Sequence, residues 1–218
     1  MARTESLVCS LNLLLMLTGV ALIVVSVAIR TDSVFRLFVK FLDLDRYYVA
    51  CYLSISSGII LLALPFIACF GLALQKHYLF IVYCFISMIT ISLHIASCSL
   101  VWKVTESEQF HNSLRLEISE HINSRYEYPL SYEFVETLQS ELQCCGAESY
   151  RDYPTKSVTS CRYDVPEEPK GCAEAMQTYL RIRSALIGSL SIVSLFIQVL
   201  VLFIWYTGNT IAYKIIKS

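Results

Sequence analysis

Charged residues are missing from four long stretches of this sequence, although the remainder of the chain is rich in them. None of the stretches contains Asp, Glu, Lys or Arg, and they cover residues 7–29, 47–75, 77–102 and 184–213. A helix needs about 20 residues to cross the hydrocarbon core of a bilayer, and each stretch is longer than that. This absence is typical of a membrane protein, and it predicts four membrane-spanning helices.

The sequence also lacks the residue patterns of catalytic and transport sites. There is no Gly-rich phosphate loop and no metal-spaced cluster, and His111 and His121 have no consistent nucleophile or metal partner. No ionisable pair interrupts the apolar stretches, which argues against a transporter or channel. No excess of charge suggests nucleic-acid binding. We therefore expect no enzyme, no cofactor, no metal and no nucleic-acid partner.

The predicted fold class is an all-α membrane protein, with four transmembrane helices and a mainly helical, disulfide-stapled extracellular domain. The first stretch is too long for a signal-peptide core and no small-residue cleavage site ends it, so we interpret it as a retained signal anchor. The predicted segments are a cytoplasmic N-terminus (1–8), transmembrane helices (9–29, 47–70, 78–102 and 184–206), a small extracellular loop (30–46), a cytoplasmic loop (71–77), a large extracellular loop (103–183) and a cytoplasmic tail (207–218).

The orientation depends on cysteines, because basic residues do not decide it. The short segments on the two sides of the bilayer carry equal numbers of basic residues, namely Arg30, Arg36, Lys40 and Arg46 against Arg3, Lys76, Lys214 and Lys217. The large loop holds four cysteines, which suggests two disulfides and an oxidising, extracellular environment. A zinc site is the alternative, although adjacent cysteines lack the usual spacing of a zinc knuckle. Four crossings then place both termini in the cytoplasm.

Two helices are predicted in the first half of the large loop. An apolar stripe predicts that the third span continues without a break to about Tyr126, where Pro129 ends it. The stripe consists of Phe110, Leu114, Ile118 and Ile122. We expect Ser131 to be the N-cap of the next helix and Gly146 to take the left-handed turn after it. The apolar face of that helix consists of Phe134, Val135, Leu138 and Leu142.

The second half of the large loop, residues 147–171, is polar and contains several prolines, so irregular structure is predicted there. Disulfides would have to stabilise it. Neighbouring Cα atoms are only about 3.8 Å apart, which strains a direct bond between Cys144 and Cys145. Both should therefore pair with Cys161 and Cys172, in an order that the spacing leaves open. Each bond would contribute about 3 kcal/mol. A helix over 173–183 would lead into the fourth span.

Over its full length the sequence resembles the tetraspanin family. The resemblance depends on the four spans, the small first and large second outer loops, and the loop motif Cys144-Cys145-Gly146. Ser160-Cys161 and Gly171-Cys172 match further loop elements, although the family's Pro-x-Ser-Cys lacks its proline here. In the membrane, Asn12, His94 and Gln198 lie where the family tends to have polar residues, and 65–71 resembles the end of its second span.

This resemblance implies the disulfide pairs Cys144–Cys172 and Cys145–Cys161. It also implies a cone-like bundle capped by the large loop, and a role in organising other membrane proteins, including other tetraspanins. A claudin-like protein is the nearest rival by topology, but its cysteines lie in the first outer loop, where this chain has none.

Two amide side chains and one histidine lie within the predicted spans, where such groups are costly and usually face the bundle interior. Asn12 and Gln198 both fall in the cytoplasmic half, and we expect a hydrogen bond between spans one and four. They either join the helices or form the polar end of a cavity for a lipid or sterol, which resembles what some tetraspanins have. His94 lies nearer the outer face and is expected to be a neutral buried histidine, with a pH sensor as the alternative.

Three cysteines near the cytoplasmic ends of the spans, Cys9, Cys69 and Cys84, are candidates for S-palmitoylation. The alternative is that each is a small buried hydrophobic residue, as we expect for Cys51 and Cys98. In the tail, Tyr213 to Ile216 match a Tyr-x-x-apolar endocytic sorting signal. N-glycosylation is not expected, because Asn112 and Asn123 are not followed by an acceptor pattern.

The sequence therefore predicts a non-enzymatic membrane organiser that binds partner membrane proteins through the large loop, especially 147–171. It would reside in the plasma membrane and in endosomes. The alternative is an adaptor for lipid or sterol binding or for endosomal trafficking, acting through the bundle cavity and the tail signal.

Overall fold

A computed structural model describes residues 2–42, 45–74, 77–153, 161 and 170–217, and these residues are almost entirely helical. The helices are α1 (Ala2–Thr31), α2 (Ser33–Phe41), α3 (Asp45–Leu74), α4 (His77–Glu106), α5 (Glu108–Ser124), α6 (Pro129–Leu142) and α7 (Cys172–Lys217), with a 3-10 turn at Tyr150–Asp152. No strand occurs among the residues that the structure describes.

Four of the helices are long and apolar enough to cross a membrane, over Glu5–Thr31, Tyr47–Leu74, Tyr78–Trp102 and Cys172–Gly208. The prediction of an all-α protein with four membrane-spanning helices is confirmed. Each predicted span lies within one helix, and α7 contains both the last loop helix and the fourth span.

The chain divides into two compact units. The span unit comprises the described residues within 1–27, 49–99 and 186–218, and the loop unit comprises those within 28–48 and 100–185. In the span unit, α1 buries a residue every three or four positions along one face, at Val8, Asn12, Leu15, Leu22 and Ser26 among others. Leucines and valines on its other faces remain exposed, as expected of helices surrounded by lipid. The buried face packs against α3, α4 and α7 around Leu61, Leu64, Tyr83, Val201 and Trp205.

Two glycines allow α1 and α3 to approach each other closely. A Cβ atom on Gly19 would lie 2.9 Å from the Leu61 Cβ and 3.0 Å from the Gly58 carbonyl oxygen. A Cβ atom on Gly58 would lie 2.9 Å from the Gly19 carbonyl oxygen. Small residues at helix contacts in membranes permit such a backbone approach. Sequence reasoning did not single out this pair.

In the loop unit, the small first loop contains a helix that was not predicted. Asp32 is the N-cap of α2, and its Oδ1 accepts hydrogen bonds from the backbone N–H groups of Val34 and Phe35. Phe35 and Phe38 are fully buried. The Phe38 ring meets Phe134 of α6 edge-on at 6.4 Å, and Phe41 lies 4.8 Å from the same ring. The first loop is therefore part of the core of the loop unit.

The prediction that the third span continues unbroken to about Tyr126 is wrong. Ser107 has extended backbone angles and separates α4 from α5, and its carbonyl accepts from the N–H groups of Phe110 and His111. Serine is favoured at helix N-termini, which suits Ser107 to this position. Because the break is only one residue long, the apolar residues keep their helical spacing across it, and the sequence pattern did not reveal the break. Of the predicted stripe, Leu114, Ile118 and Ile122 are buried.

The predicted ends of α6 also need correction. Pro129 occupies the first turn, where its missing N–H costs nothing, and Tyr128 is the N-cap. Ser131 lies inside the helix, and its hydroxyl is bonded instead to His121 Nδ1 at 3.1 Å. At the other end Gln143 takes the left-handed conformation that closes the helix, with φ of 50°. Gly146 also has positive φ, but it serves the loop that follows.

Candidate functional site

The two disulfides of the loop unit begin at Cys144 and Cys145, just after the end of α6. Cys144 is bonded to Cys172, with Cα atoms 5.0 Å apart, and Cys145 is bonded to Cys161, with Cα atoms 5.3 Å apart. All four cysteines are buried. Their sulfurs are bonded to each other rather than arranged around a metal, unlike the zinc alternative. This is the pairing that the family resemblance implies, and spacing alone did not distinguish it from the opposite one.

A short backbone ladder joins the two ends of the irregular segment. Cys145 N–H donates to the Lys170 carbonyl at 3.0 Å, Cys172 N–H to Gly146 at 2.9 Å, and Ala173 N–H to Ala147 at 3.0 Å. A Cβ atom on Gly146 would collide with the Ser149 carbonyl, and one on Gly171 with the Glu148 carbonyl. Glycine at both positions therefore permits the close approach that the disulfides lock.

The structure describes residue 161 of the irregular segment but not 154–160 or 162–169. The described part before them is ordered by Ser149, whose hydroxyl accepts from Arg151 N–H, and by Asp152, which accepts from Glu148 N–H at 2.8 Å. Buried Gln139 donates to the Tyr153 hydroxyl and thereby connects α6 to this segment. The expected recognition segment thus begins and ends on rigid structure, whereas most of it lies outside the described residues.

A polar network attaches the start of α2 to α7 within the loop unit. Asp32 Oδ2 accepts from Arg183 Nη2 at 2.9 Å and from the Tyr179 hydroxyl at 3.2 Å, and the Arg183 guanidinium lies over the Tyr179 ring. Partial burial acts to raise the pKa of Asp32, but the hydrogen bonds from Arg183 and from the backbone of α2 outweigh it. The pKa of this carboxyl therefore lies below its ordinary value. Sequence reasoning missed Asp32, although a helix cap before the apolar pattern of α2 was a readable signal.

The intramembrane polar residues are all buried in the span unit, but their expected partners were wrong. The Tyr83 hydroxyl of α4 donates to Asn12 Oδ1 at 3.0 Å, and Gln198 Nε2 donates to Thr90 Oγ1 of α4 at 3.0 Å. Asn12 and Gln198 therefore join α1 and α7 to α4 rather than to each other. Spans one and four are connected by another pair, because the Ser194 hydroxyl donates to Thr18 Oγ1 at 3.0 Å.

Some polar atoms of the span unit remain unpaired. Both ring nitrogens of fully buried His94 and the Oε1 of Gln198 lack a hydrogen-bond partner. Unpaired buried polar atoms are unfavourable, and each therefore calls for an explanation such as a bound polar molecule. His94 is buried, as expected from the sequence.

Two of the candidate lipidation cysteines touch each other. Cys9 Sγ of α1 lies 2.6 Å from Cys69 Sγ of α3, and both residues are partly buried. An acyl chain on either sulfur would have to displace the other thiol. Cys84 and Cys98 are partly buried and Cys51 is buried, and none of the three is part of a disulfide.

The backbone of the candidate sorting signal continues α7 to Lys217. The side chains of Tyr213 and Ile216 lie outside those that the structure describes. No group of three or more His, Cys, Asp or Glu side chains that could hold a metal ion occurs in the described part of the chain.

Comparison with known proteins agrees with this architecture. A model described as the Tetraspanin family matches residues 4–208, which is nearly the whole chain. A search of the curated proteins gives no significant match.

Proposed function

Because this chain belongs to the tetraspanin family, we propose that it is a non-enzymatic organiser that binds partner membrane proteins through its large loop. It is an integral, multi-pass membrane protein. The loop would select the partners and the spans would gather them laterally, together with other tetraspanins.

The observation that carries this proposal is the construction of the loop unit. Cys145, Cys161 and Cys172 attach the segment 147–171 to buried helical structure at its start, middle and end. A variable segment held on a rigid support is the usual arrangement for recognition. Disulfides would also fix the orientation, since they persist outside the cell. We therefore propose an extracellular loop and cytoplasmic termini, with residence in the plasma membrane and in endosomes.

The decisive experiment exchanges the segment without disturbing its support. Residues 154–160 and 162–169 are replaced by the corresponding residues of another tetraspanin, and all four cysteines, Gly146 and Gly171 are kept. Captured membrane proteins are compared in mild detergent. We expect a distinct membrane protein to be lost with the native segment. In a matched control, the first span (9–29) is exchanged and the large loop is kept. This control should still capture the membrane protein that the loop exchange loses. An unchanged set after the loop exchange would contradict the proposal.

A second function is supported by the unpaired polar atoms of the span unit. Gln198 Oε1 and the His94 nitrogens are buried without partners, so a sterol or other lipid with a hydroxyl group could supply the missing hydrogen bond. The protein would then be a lipid-binding or trafficking adaptor. Photoreactive sterol labelling should fall in an Asn12→Leu/Gln198→Leu variant, and equal labelling would contradict lipid binding at these residues. Internalisation should slow in Tyr213→Ala if the tail is a sorting signal.

S-acylation of Cys9, Cys69 and Cys84 would help the spans to gather partner membrane proteins laterally. Because Cys9 and Cys69 lie near the cytoplasmic ends of their spans, we expect acyl-exchange labelling to fall in a Cys9→Ser/Cys69→Ser variant. Acylation of either sulfur would require the contact between the two thiols to open. Cys51→Ser is the matched control, since this buried thiol should not be acylated. An undiminished signal in the double variant would exclude both sites.

A further inference from the structure

The turn that joins α5 to α6 presents large apolar side chains to solvent. The exposed fractions are 80% for Tyr126, 61% for Tyr128, 57% for Leu130 and 47% for Tyr132. We call these four residues the tyrosine turn. By contrast, Phe35, Phe38 and Phe134 of the loop unit are fully buried, whereas Trp102 at its edge is exposed. A cluster of exposed apolar groups of this kind marks a protein interaction site more often than a plain surface.

The backbone of the tyrosine turn is held rigidly. The N–H groups of Glu127 and Tyr128 both donate to the Ser124 carbonyl, at 3.0 Å each, and the Ser131 and Tyr132 N–H groups donate to the Tyr128 carbonyl. Beneath the turn, the Ser131 hydroxyl is bonded to His121 and accepts from Ser124. Little conformational freedom would therefore be lost when a partner binds.

Arg125 holds the most exposed tyrosine in place. Its guanidinium lies 4.5 Å from the Tyr126 ring centroid and 4.3 Å from that of Tyr153, so it is sandwiched between the two rings. Its Nη2 also donates to the Tyr126 hydroxyl at 2.7 Å. Arg125 is itself only 8% exposed. Its guanidinium therefore positions Tyr126 and adds little positive charge to the surface.

Along the chain on either side of the turn, the exposed charges are all acidic, whereas exposed Arg151 lies two residues from Tyr153 in the neighbouring segment. Between residues 120 and 136 the exposed ionised side chains are the carboxylates of Glu120, Glu127, Glu133 and Glu136. The fourteen residues of α6 contain no Lys or Arg. A surface of tyrosine rings edged by carboxylates is complementary to arginine and lysine, which pair with carboxylates and stack on aromatic faces. The same carboxylates disfavour an anionic lipid surface and a second copy of this acidic face.

We propose that the tyrosine turn and its flanking carboxylates bind a basic segment of a partner membrane protein. This inference rests on the proposed function, since it specifies the chemistry of one partner of the large loop. Tyrosine and arginine are the residues that most often carry the affinity of protein interfaces. The four residues of the tyrosine turn lie outside 147–171, and Tyr126 is linked to that segment through Arg125, which stacks on both Tyr126 and Tyr153.

The test uses the full chain in nanodiscs of neutral phosphatidylcholine and a random peptide display library, with empty nanodiscs for counter-selection. We expect the selected peptides to be rich in arginine and lysine. Fluorescence anisotropy of the most enriched peptide should show an affinity loss of about tenfold or more in Tyr126→Ser/Tyr128→Ser. A similar loss is expected in Glu133→Gln/Glu136→Gln.

Two matched variants control for the loss of exposed apolar surface and of charge. Leu116→Ser removes an apolar side chain of α5 that is 64% exposed, and Glu108→Gln removes an exposed carboxylate at the start of α5. Both should keep the affinity of the intact protein. The glutamate and leucine variants change only exposed side chains, so their thermal unfolding should match that of the intact chain. Tyr126→Ser also removes a hydrogen-bond and stacking partner of buried Arg125, so its thermal unfolding is compared separately. Tyr128→Ser alone, at a ring that is 61% exposed, should lower the affinity without lowering the stability.

Selected peptides without basic residues, or an affinity unchanged in both paired variants, would overturn the inference. If the intact protein self-associates and the tyrosine variant does not, the surface binds a second copy and the inference is overturned. If the intact protein binds anionic vesicles and the tyrosine variant does not, the surface binds lipid and the inference is likewise overturned. Proximity labelling in cells separates this inference from the proposed function. If the tyrosine variant labels the same neighbours as the intact protein, only the surface is wrong. If the intact protein labels none above background, the proposed function is wrong as well.

Discussion

At the scale of single residues, Asp32 links two helices of the loop unit. It caps α2 and accepts hydrogen bonds from Arg183 and Tyr179 of α7. We predict that Asp32→Asn, which keeps an acceptor for the cap but loses the charge, lowers the free energy of unfolding by about 1–2 kcal/mol at neutral pH. Thermal unfolding of the full chain in nanodiscs would measure the loss.

The pH dependence of this loss follows from the lowered pKa of Asp32. Such a carboxylate stabilises the fold fully above its ordinary pKa of 3.8, and the stabilisation is lost as the pH falls through the folded-state pKa. The two proteins should therefore converge in stability only at acidic pH. Glu174→Gln is the control, because its pair with Lys170 is exposed and should contribute little. A difference that stays constant down to acidic pH would show that the charge is not responsible.

The hydrogen bond between Tyr83 and Asn12 is the residue-scale test of the span unit. Tyr83→Phe removes the donor and leaves the buried Asn12 Oδ1 without that partner. Such bonds between membrane helices contribute about 0.6 kcal/mol on average and up to about 1.7 kcal/mol. We expect a loss of this size in denaturant unfolding from mixed micelles. Tyr78→Phe, at a ring that is largely exposed, should change nothing, and equal effects of the two variants would contradict the assignment.

At the scale of helices, the packing of α1 on α3 depends on Gly19 and Gly58. A methyl group at Gly19 would meet Leu61 and the Gly58 carbonyl closer than ordinary contact allows, so the helices must separate. We predict that Gly19→Ala destabilises the span unit by about 1–3 kcal/mol in the same unfolding measurement. Gly188→Ala is a matched control in α7, because nothing lies within 4 Å of the added carbon. A loss in both variants would show that helix contact is not the cause.

The helices also show which parts of the fold a pattern can reveal. Absence of charge identified the four long helices, because a lipid environment demands an apolar surface over their whole length. The apolar stripe identified α5 and α6, because buried positions recur with the helical period. The break at Ser107 and the start of α6 at Pro129 were not predicted. Both depend on backbone conformation at one residue, to which a period over many residues is insensitive.

At the scale of the whole molecule, the two disulfides stabilise different parts of the large loop. The Cys144–Cys172 bond reinforces the backbone ladder between 145–147 and 170–173, whereas Cys145–Cys161 holds only the middle of the irregular segment. We predict that Cys145→Ser/Cys161→Ser lowers loop-unit stability by about 3 kcal/mol. Faster hydrogen exchange at the α6 amides of the full chain would measure it.

The double serine variant should also lose the partner that depends on 154–160 and 162–169, while the spans stay folded. Cys98→Ser is the control, because this thiol forms no disulfide and lies in the span unit. If hydrogen exchange at the α6 amides is unchanged in the double variant, the backbone ladder and the Cys144–Cys172 disulfide are sufficient to stabilise the loop unit.

The sequence by itself determined the four spans, the helical loop domain, and the burial of Asn12, His94 and Gln198 in the bundle. Burial in lipid and hydrophobic periodicity are properties of each helix alone, so they can be read along the chain. Only the tertiary structure decided that Asn12 and Gln198 both bond to α4, and that the first loop packs its phenylalanines on Phe134. Sequence position gives the depth of a residue along its helix, but its partners depend on the rotation and neighbours of that helix. Those are set when the helices pack together.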